Sequence, residues 1–165
     1  MKRTIFSYLL IAAATLVIAS CTGDKVYDKY RNTPLAGWEK NDTLTFSVPR
    51  MTKAAQYSSN LMLRINDSFP FMALTLIVEQ KVIPGNAVTI DTLRCNLIGK
   101  SGNFNGQGVS YYQYTFPVTT MPLVPGDSLQ ISVRHDMKRE ILPGISDVGI
   151  MIETVSYTHL TLPTT

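Results

Sequence analysis

Catalysis needs certain residue types held in combination, and this chain offers few such combinations. It contains two histidines and two cysteines. His135 precedes Asp136, a pairing that could serve acid–base work, but neighbours on a strand point to opposite faces. With Arg134 and Lys138 alongside, the pair reads as a surface charge cluster. One histidine outside the C-terminal tail cannot build a histidine-rich zinc site, and neither cysteine has C-x-x-C spacing. Cys95 lies in the apolar run Leu93, Cys95, Leu97, where a buried inert thiol is expected rather than a nucleophile. There is no G-x-S-x-G turn to present a serine. Asp42, Asp67, Asp91, Asp127, Asp136 and Asp147 border strands or turns, where Asp caps local backbone groups. A calcium ion would need about 6–8 converging oxygens, more than such scattered acids promise. The glycine-rich stretch 99–108 lacks the Lys-Ser/Thr ending of a phosphate loop. No catalytic residue, metal or cofactor is assigned.

The chemistry that remains is acylation at Cys21. Met1-Lys2-Arg3 is a basic head, residues 5–18 are apolar, and Ala19-Ser20 are small residues before a cut site, the three parts of a secretory signal. The quartet Ile18-Ala19-Ser20-Cys21 resembles the bacterial lipobox, in which cleavage precedes a cysteine that carries diacylglycerol and an N-acyl chain. The apolar run is shorter than the roughly 20 residues that span a hydrocarbon core. Two or more acyl chains hold a protein stably on a bilayer. Residues 1–20 are therefore read as a lipoprotein signal peptide, with the membrane as a partner through Cys21.

Residues 21–37 are polar and read as a lipidated tether. Residues 38–155 alternate between period-two apolar runs and turn signals, as antiparallel sheets do. Leu44, Phe46 and Val48 form one run; Leu61, Leu63 and Ile65 form another. Met72, Leu74, Leu76 and Val78 make a third, expected to be central and covered on both faces. Val88 and Ile90 lead into Leu93, Cys95 and Leu97 with a change of parity, which predicts a bulge near residues 91–93. Residues 111–118 are aromatic and β-rich, Leu129, Ile131 and Val133 alternate, and Val148, Ile150 and Ile152 close the series. Pro84-Gly85, Pro125-Gly126 and Pro143-Gly144 supply turns. One or two helical turns are expected over 136–142. About seven short strands at this spacing predict an all-β antiparallel sandwich, immunoglobulin-like or jelly-roll-like. Residues 156–165 do not continue the pattern and resemble translated adapter sequence.

The formal charge falls from +3 to +1 once Lys2 and Arg3 leave with the signal. Without a basic run this argues against nucleic acid as a partner. The glycine loop reads either as plain connection or as an interaction loop, with Phe104 at its tip and Tyr111, Tyr112 and Tyr114 nearby. These four aromatics are the candidate partner contacts. Trp38, the sole tryptophan, is expected to close the core. Phe69-Pro70-Phe71 is expected to pack where a strand begins.

Several segments together resemble the gliding-motility lipoprotein family GldH. They are Tyr27-Asp28-Lys29-Tyr30-Arg31, Trp38-Glu39-Lys40, Arg64-Ile65-Asn66 with Phe69-Pro70-Phe71, and the glycine loop. The most specific is His135-Asp136-Met137-Lys138-Arg139-Glu140-Ile141-Leu142-Pro143-Gly144-Ile145-Ser146-Asp147-Val148-Gly149-Ile150. The resemblance implies a lipoprotein of the outer membrane, associated with gliding and type IX secretion, without enzymatic activity. Its implied partners are other envelope lipoproteins or secretion-machinery proteins. Relatives in non-gliding species mean that cell movement is not implied. The residues alone leave an alternative, a carbohydrate-binding surface lipoprotein. That reading requires two or three coplanar exposed rings among the four loop aromatics.

Overall fold

The computed structural model describes residues 25–99 and 101–155. Cys21, the signal segment and the 156–165 tail lie outside the described residues. Ten strands form: β1 (Lys25–Asn32), β2 (Trp38–Glu39), β3 (Leu44–Val48), β4 (Ala55–Ile65), β5 (Ala73–Ile83), β6 (Val88–Asn96), β7 (Tyr112–Leu123), β8 (Ser128–His135), β9 (Ile141–Leu142) and β10 (Ile145–Thr154). One sheet has the order β1-β10-β4-β7, a second β3-β8-β5-β6, and β2 pairs with β9 in a short ribbon. All pairings are antiparallel. Among the eight long strands, only the β5–β6 hairpin stays within one sheet; every other connection crosses to the opposite sheet. That crossing pattern is the jelly roll, two interlocked Greek keys. It decides between the two sandwich types that the sequence left open.

The core follows from period two. On β4, Leu61, Leu63 and Ile65 face inward and are fully buried. They meet Leu74, Leu76 and Val78 of β5, Ile131 and Val133 of β8, and Val148, Ile150 and Ile152 of β10, all equally buried. Phe46 and Val48 bring edge strand β3 into the same cluster. Pro117 and Pro122 are tolerated on β7 because it is an edge strand, with one side free of ladder bonds.

Four expectations need correction. Residues 25–32, read as tether, are β1, paired with β10 from Lys25↔Glu153 to Asn32↔Asp147. An edge strand can be polar along its length, since backbone pairing holds it and charge discourages further strands. Tyr27 packs against the core, and Tyr30 lies against Gly149 and Met62 on the outer face. The Arg64 guanidinium sits 3.9 Å above the Tyr30 ring. Second, residues 136–142 make no helical turn. Asp136 N–H donates to the Thr75 carbonyl at 2.9 Å, and the segment ends in β9. Third, β6 pairs with β5 without a register shift. Val88 and Ile90 simply face outward and are exposed, while Cys95 faces inward. Fourth, β5 is interior to its sheet, but its outer residues Ala73, Thr75 and Ile77 are only half-buried.

Strand directions sort the connections to two ends. The crossover end gathers residues 33–43, 66–72, 97–111 and 136–144. The turn end gathers 49–54, 84–87 and 124–127, together with the first residue of β1 and the last of β10.

Leu63 is fully buried at the middle of the core. Leu63→Ala should cost about 2–5 kcal/mol, read as a lower urea midpoint with an unchanged slope.

Candidate functional site

The crossover end is one connected platform. Asn66 N–H donates to the Gly144 carbonyl at 2.8 Å, and Leu97 N–H donates to Met72 O at 2.9 Å. Lys40 N–H reaches Glu140 O at 2.8 Å, and the buried Thr33 hydroxyl donates to the Ile145 carbonyl. Phe69 is buried with Phe71 packed edge-on against it, ring centres 5.6 Å apart, which anchors the β4–β5 loop as expected of that triplet. Gly144 adopts φ +81°, and a Cβ there would lie 2.2 Å from Phe69 N, so only glycine permits this close passage.

Trp38 and His135 lie at the centre. Both are completely buried, with ring centres 5.3 Å apart in an edge-on arrangement. The Trp38 indole N–H donates to Asp42 O at 3.0 Å, and His135 Nε2 lies 3.2 Å from the Trp38 carbonyl. That contact makes Nε2 the donor and leaves Nδ1 facing Met137 N–H at 3.5 Å. Trp38 thus closes the core, as its sequence position suggested. His135 overturns the surface-cluster reading: it continues the inward series Leu129, Ile131, Val133, while Asp136 is exposed. Burial lowers its pKa, and Lys40 adds to this; the Trp38 carbonyl, Glu140 and Asp136 pull the other way. The result is a neutral structural imidazole.

The glycine loop is folded onto the domain rather than draped over it. Ile98 bridges Phe104, Gln107 bridges Gln113, and Asn105 N–H donates to Leu97 O at 2.9 Å. The four candidate contact residues divide. Tyr114 is buried and its hydroxyl donates to the Leu97 carbonyl at 2.8 Å. Phe104 and Tyr112 are half-buried and stacked on each other, centres 4.1 Å apart and 19° from parallel. Tyr111 alone is exposed, at 55%. A Cβ on Gly106 would lie 2.7 Å from the Tyr114 ring, so that glycine lets the aromatics close beneath the loop. The coplanar exposed rings that a glycan platform needs are not formed by these four side chains.

Among the residues left for contact is Met72, which its period-two run assigned to a covered strand but which precedes β5 and is exposed. Leu35, Met72, Val109 and Ile141 are exposed at 107%, 63%, 88% and 45%. With Tyr111, they crown the same end. For Leu35 and Val109 a hydrophobic residue inside a polar loop was the available signal, since a loop that merely connects has no use for one. Beside them is an amide-lined groove of about 410 Å³ with Asn96, Asn105, Gln107 and Gln113 on its walls. A larger open cleft of about 590 Å³ separates edge strands β1 and β3, with Lys29, Arg31 and Phe46 among its lining.

Other chemistry is confined. The Cys95 thiol is fully buried, and burial pushes its pKa up to about 12, which keeps it protonated and inert. Among the described residues, no group of three His, Cys, Asp or Glu side chains could hold a metal ion. No helix among them is long and apolar enough to cross a membrane.

A family model described as GldH lipoprotein matches residues 25–152. The chain is 29% identical over 154 residues to the gliding motility lipoprotein GldH of Flavobacterium johnsoniae, covering 87% of this chain and 94% of that protein. It is 23% identical over 160 residues to a GldH homolog of Christiangramia forsetii, covering 92% and 97%. Among solved structures, it is similar to part of a family GH115 4-O-methyl-α-glucuronidase, BtGH115A. The TM-score is 0.48 and the identity 16%, over 83% of this chain and 18% of the enzyme.

Two outcomes follow from this geometry. Above pH 6.5, the ordinary imidazole value, both folded and unfolded His135 are neutral and stability is unaffected by it. Below that pH the unfolded chain takes up a proton that the buried ring resists. The urea midpoint should therefore fall as pH drops from 7.5 to 5, and His135→Gln should flatten that dependence. Gly106→Ala should expel the loop from the Tyr114 ring, seen as faster amide exchange over 103–108 with the strands still protected.

Proposed function

The chain belongs to the GldH lipoprotein family, and on that premise we propose that it is a non-enzymatic lipoprotein of a gliding-motility-type envelope machinery. In this reading Cys21 carries the lipid and holds the domain on the outer membrane. The crossover end then binds another envelope lipoprotein or a component of the type IX secretion apparatus. The observation that carries the reading is the placement of Leu35, Met72, Val109, Tyr111 and Ile141, exposed together on one hydrogen-bonded platform. Monomeric proteins rarely leave several large apolar side chains exposed in one region unless something covers them. The buried His135 and Cys95 have no substrate access, which favours a contact role over a reactive one.

Two experiments test it. Growth with radioactive fatty acid should label the protein, and Cys21→Ser should abolish that label; unchanged labelling would remove the tether. Crosslinking in native membranes followed by capture should recover envelope proteins. Val109→Ser with Tyr111→Ser should cut that recovery about tenfold, the consequence of losing roughly 1.4 kcal/mol of contact. Recovery equal to a lipid-only control for the unaltered protein would refute the partner-binding reading.

A further inference from the structure

The turn end carries its own exposed apolar side chains, and it is where the described chain begins. Ile83, Val88 and Val124 are 39%, 50% and 54% exposed. Of the other seven exposed large hydrophobics among the described residues, five lie at the crossover end; Val26 belongs to the turn end and Ile90 to a sheet face. The turns that carry them are tied together. Met51 N–H donates to Asp127 O at 2.7 Å, Gly126 N–H donates to Met51 O at 2.9 Å, and Ile83 pairs with Ser128.

Around these side chains stand Arg50, Lys53 and Lys81, none of them in an ion pair among the described residues. Three acids near this end have partners of their own, while Glu79 shares the outer face of β5 with Lys81. Asp127 accepts the Val124 N–H at 3.0 Å, Asp28 holds Lys25 at 3.0 Å, and Glu153 accepts from Asn60 at 3.2 Å. Asp28 cancels Lys25, and Arg50, Lys53 and Lys81 stand against Asp127 and Glu153, so the surface is apolar at its tips with a small excess of cations around them. Lipid headgroups attract this combination through their phosphates, while the acyl boundary takes the apolar tips.

Chain length supplies an independent constraint. Cys21 precedes Lys25 by four residues, and four residues reach at most about 14 Å. An acylated Cys21 would hold Lys25, at the turn end, within that distance of the bilayer. We propose that the turn end rests on a phospholipid surface. Ile83, Val88 and Val124 enter the headgroup layer, and Arg50, Lys53 and Lys81 meet lipid phosphates. The proposal rests on the lipidation of Cys21. Its consequence is orientation: an 11-residue strand rises roughly 36 Å, so the crossover end is presented that far from the headgroups.

The test uses the full lipidated chain in vesicles of phosphatidylethanolamine with phosphatidylglycerol. Fluorophores are attached at Val124→Cys or Ser68→Cys, at opposite ends; Cys95 is buried and protonated, so labelling selects the introduced thiol. Doxyl-lipid quenching should be several-fold stronger at position 124 than at 68. Arg50→Glu with Lys53→Glu, or high salt, should at least halve the difference. Equal quenching at both positions, on protein that floats with the vesicles, would overturn the docking and leave the tether standing. Protein that fails to float would overturn both. Position 124 becoming shielded only when a second envelope protein is added would make this end a protein interface and refute the lipid assignment.

Discussion

The burial of Trp38 against His135 is the contact on which the crossover end depends. A jelly roll sends nearly every connection from one sheet to the other, so its loops must be tied across a gap that sheet ladders do not bridge. No disulfide does this among the described residues, where Cys95 is free and buried. At the centre of the ties that do is one aromatic pair with two hydrogen bonds, from Trp38 Nε1 to Asp42 O and between His135 and the Trp38 carbonyl. It fixes β2, and through β2 it fixes β9, which in turn positions Ile141 on the outside and Leu142 on the inside. A buried polar group left without its partner costs about 1–3 kcal/mol. The arrangement therefore holds together as a set or is lost as a set.

From that closure comes a division of labour between the two ends. Apart from Ile90 on β6, the large exposed apolar side chains gather where strands start or stop. At the crossover end they sit on loops stiffened by Gly106, Gly144, the Phe69–Phe71 pair and the Phe104–Tyr112 stack. A rigid loop surface loses little conformational freedom on contact, which suits a binding platform. At the turn end they are mixed with unpaired cations, a composition suited to a charged and greasy boundary.

Period two was legible wherever a strand is buried on one face only. Leu44, Phe46 and Val48, and equally Leu129, Ile131 and Val133, announced both their strands and their inward faces. The series on β8 also continued to His135, but its charge neighbours drew the reading outward; the alternation itself held the answer. β1 escaped because an edge strand held by backbone pairing needs no apolar stripe, and Lys-Val-Tyr-Asp-Lys-Tyr-Arg-Asn shows none. Val88 and Ile90 suggested a bulge because an exposed apolar pair on an edge mimics a change of parity. The loop aromatics were correctly gathered in one place, yet stacking and burial, which depend on tertiary closure, decide that Tyr111 is the exposed one. Strand order, and with it the jelly roll, is a non-local property that no short window carries.

The central claim is that the crossover end is where this lipoprotein meets another protein. Site-specific photocrosslinkers in living cells test it most directly, placed at Tyr111 and at Thr45, an exposed position on the outer face of β3. A discrete crosslinked protein band from position 111, absent from position 45, is the result that the structure predicts. A band from position 45 alone, or none from either, would contradict it.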